Sequence, residues 1–230
     1  MKKSLLSFIL LAFTCASQAQ DFRLGLNFNP LFNFYTTTQT ADDQQFSIDN
    51  DGANFGFGYG VFGEFMFADN YSFLVEIQHV VSSADYKYSG IGPEGNSIRD
   101  LNFSTNTDYQ FVHLPLLLKL KSNEIGYSTY FAKVGVAPSF LVASRGEGNR
   151  YATNKEGDHW RVDLRDENMN TRLLNLFVVF GIGMEYSLGG NLSAVGGVSF
   201  HNGVTRLNNY NSDFYTLRNG FISIDLGIMF

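Results

Sequence analysis

Residues 174–188 read Leu174-Asn-Leu-Phe-Val-Val-Phe-Gly-Ile-Gly-Met-Glu-Tyr-Ser-Leu188. Leu174, Leu176, Val178, Phe180, Ile182, Met184, Tyr186 and Leu188 take every second position, opposite Asn175, Gly181, Gly183, Glu185 and Ser187. A strand sends alternate side chains to opposite faces, so the segment predicts one continuous apolar face and one polar or open face. Gly189-Gly190 follows at once, a strong two-residue hairpin signal. Residues 191–204 then resume the alternation, with Leu192, Ala194, Val198 and Phe200 against Ser193, Gly197, Ser199 and His201.

The same pattern recurs at 22–34, 54–68, 71–87, 108–121, 127–143 and 219–230, which makes eight segments in all. Asp69-Asn70, residues 122–126 and Gly189-Gly190 are short connections. The connections at 35–53, 88–107, 144–173 and 205–218 are long, and the two kinds alternate. Alternation places the short turns on one rim and the long loops on the other, the pattern of an outer-membrane barrel rather than of a β-sandwich. The expected fold is all-β: an eight-stranded antiparallel transmembrane barrel of up-and-down topology. Its short turns and both termini are expected on the periplasmic rim, its long loops outside. The apolar faces have no second sheet to pack on and must meet lipid. Phe34, Tyr71, Tyr127 and Tyr186, near strand ends, are expected in the interfacial aromatic girdles.

The N-terminus agrees. Lys2-Lys3, the apolar run 5–13 and Ser17-Gln18-Ala19 make a basic, an apolar and a small-x-small segment in the order of a secretory signal peptide. Residues 1–19 are read as that peptide, with cleavage after 19 or 20, and 20–230 as a single barrel domain. Cys15 follows Phe13-Thr14, which is not the small-residue context of a lipobox, so the mature chain is expected to lack cysteine. Loss of Lys2 and Lys3 leaves 14 of the 16 basic residues against 22 acidic ones, a net charge of −8 that speaks against a nucleic-acid partner. Aromatics at 16% and 23 glycines with only 4 prolines suit a barrel wall, and a mean hydropathy of −0.08 is what alternation produces.

The non-lipid faces carry Arg23, Lys119 and Lys133 against Glu64, Glu76, Glu185 and Asp225. An eight-stranded barrel is just wide enough for side chains to fill. Charges placed there are expected to pair, since a lone buried charge is costly. A proton or ion path is the functional alternative. His113 and His201 face the same interior toward the long-loop end, with Ser199 and Glu185, but without the spacing of a known catalytic motif. Neither a cofactor nor a metal is expected. Asp42, Asp43, Asp49 and Asp51 cluster in the first long loop without EF-hand spacing and read as a solvated acidic loop. The third long loop is dense in charge and holds Trp160, the only tryptophan, beside Arg161. That pair reads equally as a protein- or glycan-binding anchor and as part of a mobile exterior loop.

The segment Phe111-Val-His-Leu-Pro-Leu-Leu-Leu-Lys-Leu-Lys121 resembles a strand of the PorT-like outer-membrane barrels of Bacteroidetes. Residues 181–186 and 197–203 are similar to later strands of that family, and the resemblance covers 21–230. Proline donates no ladder hydrogen bond, so Pro115 is expected at a bulge. The resemblance implies location and architecture, and it implies no catalytic residue. Name-giving members of the family take part in type IX secretion and gliding. The expected function is therefore non-enzymatic: a scaffold or accessory of a surface or secretion assembly. A small-solute channel is the alternative. A soluble periplasmic ligand-binding barrel is disfavoured, because it would turn its apolar face inward. Phe230 ends the series Ile222, Ile224, Leu226, Ile228 and resembles the terminal aromatic read by the barrel assembly machinery. Deleting Phe230 is expected to lower the amount of protein reaching the outer membrane more than it lowers the unfolding stability of barrel already assembled. Wild-type levels in fractionated membranes would refute that role.

Overall fold

The computed structural model describes residues 21–39, 46–50, 54–91, 98–154, 159–168, 172–207 and 215–230. The signal-peptide reading of 1–19 and the acidic residues Asp42, Asp43 and Asp51 lie outside them. Asp49 is described only in its backbone. Eleven strands form in chain order. They are β1 (Asp21–Gln39), β2 (Phe46–Asn50), β3 (Asn54–Ala68), β4 (Tyr71–Ile91), β5 (Ile98–His113) and β6 (Leu116–Lys121), then β7 (Ser128–Asn154), β8 (His159–Asn168), β9 (Leu174–Gly189), β10 (Leu192–Gly203) and β11 (Tyr215–Met229). All pairings are antiparallel.

Eight of these runs close a ring in the order β1, β3, β4, β5 with β6, β7, β9, β10, β11 and back to β1. Closure rests on the β1–β11 ladder, in which Leu26 faces Ile228 and Phe32 faces Ile222. At its lower end Leu24 and Phe230 exchange backbone hydrogen bonds of 3.0 and 2.8 Å, so both ends of the described chain lie at the short-turn rim. The Gly189-Gly190 turn takes φ of +110° and +62°, a pair of left-handed conformations that glycine adopts without steric cost.

Pro115 sits in a gap rather than at the expected bulge. Leu114 and Pro115 leave the ladder between β5 and β6, yet His113 faces Gln78 and Leu116 faces Val75, an unbroken register. The register toward β7 is equally unshifted, His113 facing Ser139 and Leu116 facing Val136. The proline carbonyl still accepts the Glu76 N–H at 2.9 Å, and Leu114 donates to the Pro138 carbonyl at 2.9 Å. Only the donor that proline lacks is lost, so no extra residue is needed to absorb it.

Much of the long connections is itself β-structure. β1, β4, β5 and β7 run well past the apolar alternation, and β2 and β8 pair back onto β4 and β7. The 27 residues of β7 far exceed the roughly 9–11 that cross a bilayer. Above the membrane both faces are wet, so apolar alternation disappears while the ladder continues. Trp160 and Arg161 therefore stand in a strand, facing Ala152 and Tyr151 of β7, rather than in an irregular loop.

The outer wall carries the apolar rows, among them Leu26, Phe28, Tyr59, Ile77, Phe180, Ile182 and Ile224, all exposed. Tyr71 lies beside Phe67 and Tyr127 beside Tyr186 near the short-turn rim, while Phe34 stacks on Phe200 toward the other. Ile182, 69% exposed at the middle of β9, samples the centre of this wall. Ile182→Lys is expected to destabilise the barrel by roughly 2–4 kcal/mol, the cost of a cation at the bilayer midplane. Denaturant titration in lipid vesicles measures it.

Candidate functional site: the charged lumen

The inward rows meet in a lumen that changes character along its axis. At the short-turn rim a polar vestibule of about 390 Å³ opens, bounded by the turns and by Arg23, Lys121 and Glu185. Below it lies a first ion cluster. Lys119 Nζ donates to Glu64 Oε2 at 2.9 Å and also bonds Glu185. Lys121 Nζ stands 2.9 Å from Glu64 Oε1 and 3.9 Å from Glu185 Oε2, and the Arg23 guanidinium 3.8 Å from Glu185. Ser72 donates to Glu64 at 2.6 Å, and the Lys119 ammonium lies 4.5 Å from the centre of the Phe131 ring. Lys119 is 2% exposed and Glu64 fully buried.

Deeper in, Lys133 Nζ sits 3.0 Å from Asp225 Oδ2 and 3.5 Å from Glu76 Oε1. Asn27 donates to Glu76 at 3.0 Å, and Gln78 also donates to it. Ser199 and Ser223 donate to Asp225 at 2.5 and 2.9 Å. Gly181 makes room for this cluster, since a Cβ there would come within 2.8 Å of Lys133 Cε. Between the two clusters a space of about 30 Å³ remains, large enough for water, and the orphan carbonyl oxygens of Asn27 and Asn29 belong to residues lining it.

Toward the long-loop end the lumen turns aromatic. His113 Nε2 lies 3.3 Å from His201 Nδ1. His201 stacks on Phe221 with ring centres 4.1 Å apart, and His113 stands edge-on to Phe177. Phe111, Tyr109 and Tyr35 continue the packing above them. His201 Nε2 reaches the Ser223 hydroxyl at 3.4 Å, but that hydroxyl stands between imidazole and carboxylate. A nucleophilic serine needs the opposite order, with the imidazole between hydroxyl and acid. Among the described residues no group of three or more His, Cys, Asp or Glu could hold a metal ion.

The structure thus brings Arg23, Glu64, Lys119 and Glu185 into one cluster and Glu76, Lys133 and Asp225 into another. Lys121 joins the first although it is not in the set of seven named from the sequence. Its position two residues from Lys119, on the same face, is the signal that marks it. Phe62, Phe131, Phe177 and Val179 also point inward, at positions whose parity is right but whose apolar character hides them among lipid-facing residues. The side chains of Trp160 and Arg161 lie outside the described set.

Residues 18–201 match the outer membrane protein β-barrel domain family. The chain belongs to that family. This outer membrane barrel is integral to the membrane, and the apolar wall is its lipid contact. Solved structures that resemble it include the outer membrane protein OprG from Pseudomonas aeruginosa, 11% identical over 91% of this chain and 95% of that one, with a TM-score of 0.49. Neisserial surface protein A is 8% identical over 90% and 95% of the two chains, TM-score 0.41. The attachment invasion locus protein Ail of Yersinia pestis is 11% identical over 91% and 97%, TM-score 0.33. Likenesses this distant say nothing about activity. No curated protein matches the chain.

The two clusters differ in redundancy. Removing the Lys119 ammonium leaves Lys121 and Arg23 beside Glu64 and Glu185, whereas Lys133 is the one cation that the described ion pairs place against Glu76 and Asp225. Lys133→Met is expected to cost roughly 3–5 kcal/mol, the range for a buried pair deprived of one partner. Lys119→Met should cost less. Adding Glu76→Gln to Lys133→Met should recover part of the loss. Unfolding titrations of the three variants in lipid test the order, and equal costs for the two lysines would refute it.

Proposed function

We propose that this outer membrane barrel is a closed, non-enzymatic scaffold whose long-loop hairpins serve a surface or secretion assembly. The observation that carries the reading is the filled lumen. Two buried ion clusters and a stack of imidazole and phenyl rings succeed one another along the axis, and the space left between the clusters is small, about 30 Å³. A conduit needs a continuous wet path; these groups spend their hydrogen bonds on each other instead.

The hairpins supply the interaction side of the proposal. β4 with β5 and β7 with β8 project as paired strands, which hold a surface in shape better than an irregular loop. Trp160 and Arg161, on β8, are the residues proposed to anchor a protein or glycan. In this reading the short-turn rim and both termini face the periplasm, Phe230 is the assembly signal, and the 111–121 strand motif supports a type IX-like assembly in particular.

Planar-bilayer recordings of the purified protein test closure. No steady unitary conductance is expected. Stable openings in the intact barrel would overturn the scaffold reading in favour of a small-solute channel.

A further inference from the structure

The exposed charges of the long-loop rim are partnered differently on its two flanks, Arg145 of β7 facing Asp108 of β5 on one of them. On the β4–β5 side the carboxylates are engaged within the sheet: Asn106 donates to Asp85 and Ser83 to Asp108, each at 2.7 Å. On the β9–β10–β11 side stand Arg172, Arg206 and Arg218, all exposed. None of these three guanidinium groups has a carboxylate partner among the described residues. Their backbones run side by side. Arg172 donates to the Leu207 carbonyl and Leu207 to the Leu217 carbonyl, each at 2.8 Å, so the three arginines share one level of the barrel.

That level is the edge of the apolar band. Arg218 continues the outward row of Ile222 and Ile224 on β11. Phe34, stacked on Phe200, packs against Gly220, two residues below Arg218 and so roughly 7 Å along the strand. Three like charges gathered at one level repel each other unless an anion joins them. The forked guanidinium matches the oxygens of a phosphate. Val204 and Leu174, exposed beneath, offer acyl chains an apolar wall.

We propose that Arg172, Arg206 and Arg218 form a docking surface for the phosphorylated headgroup of a glycolipid in the leaflet on the long-loop side. The choice of glycolipid rests on the outward orientation of that rim given above, because phosphorylated glycolipid is the outer-leaflet lipid of such a membrane. The headgroup phosphate bridges neighbouring guanidinium groups while the acyl chains lie along β9 to β11.

The full-length barrel in detergent micelles, incubated with bisphosphorylated lipid A or with the same lipid after dephosphorylation, gives the test. Native mass spectrometry counts the lipid retained. The wild type is expected to keep the bisphosphorylated form and not the dephosphorylated one. The Arg206→Gln, Arg218→Gln double variant should lower occupancy about tenfold, the scale of losing charge-assisted bonds, and Asp108→Asn on the opposite flank should leave it unchanged. Heat-modifiable gel migration shows that each variant is a folded barrel, and Arg172→Gln repeats the measurement at a site outside the strands. Equal retention of the dephosphorylated lipid, or undiminished binding by both arginine variants, would overturn the proposal. Micelles have no sides, so failure here is separate from failure of the orientation or of the closed lumen.

Discussion

In hydrocarbon a backbone N–H or C=O has no water to bond, and each unsatisfied group costs several kcal/mol. The β1–β11 ladder removes the two edges that an open sheet would leave. With eight strands, closure also fixes the width of the lumen at about one layer of meeting side chains. Everything inside follows from that width. Lys119 and Lys133 come from strands on one side of the barrel and find Glu64, Glu76, Glu185 and Asp225 on others because the lumen is narrow enough for their ammonium groups to span it.

The ordering of the lumen along its axis follows from solvent access. Charges with redundant partners gather near the vestibule, where water reaches Arg23. The more isolated Lys133 cluster lies deeper and is held by neutral donors from Asn27, Gln78, Ser199 and Ser223. Beyond it, the His113–His201 pair gives way to phenyl rings that need no partner. A buried ionic network stabilises little in net terms, since desolvation offsets most of the Coulomb gain. Its effect here is on specificity: it accepts one register of each strand, because a one-residue slip would turn a charge into the lipid.

Outside the membrane the constraint relaxes. The strands continue as hairpins in water, where pairing alone sustains them, and the rim sets Arg145 opposite Asp108 on one flank and Arg172, Arg206 and Arg218 on the other. The wall, the lumen and the rim thus answer to three solvents: lipid, the enclosed polar interior, and water with headgroups.

Alternation in residues 174–188 and its seven counterparts determined the strand number, the lipid face and the two rims, because contrast between lipid and lumen is written directly into period two. The inward charges were legible for the same reason. The pairing was not: which lysine meets which carboxylate depends on strand stagger around the closed ring, and a single strand carries no record of it. Phe62, Phe131, Phe177 and Val179 escaped because an apolar residue on the inner face looks like one on the outer. The β-structure of the long connections escaped because water on both faces erases the alternation while leaving the hydrogen bonds. The convergence of Arg172, Arg206 and Arg218 likewise belongs to the tertiary structure, since only the ladder at the rim brings positions 34 and 12 residues apart to one level.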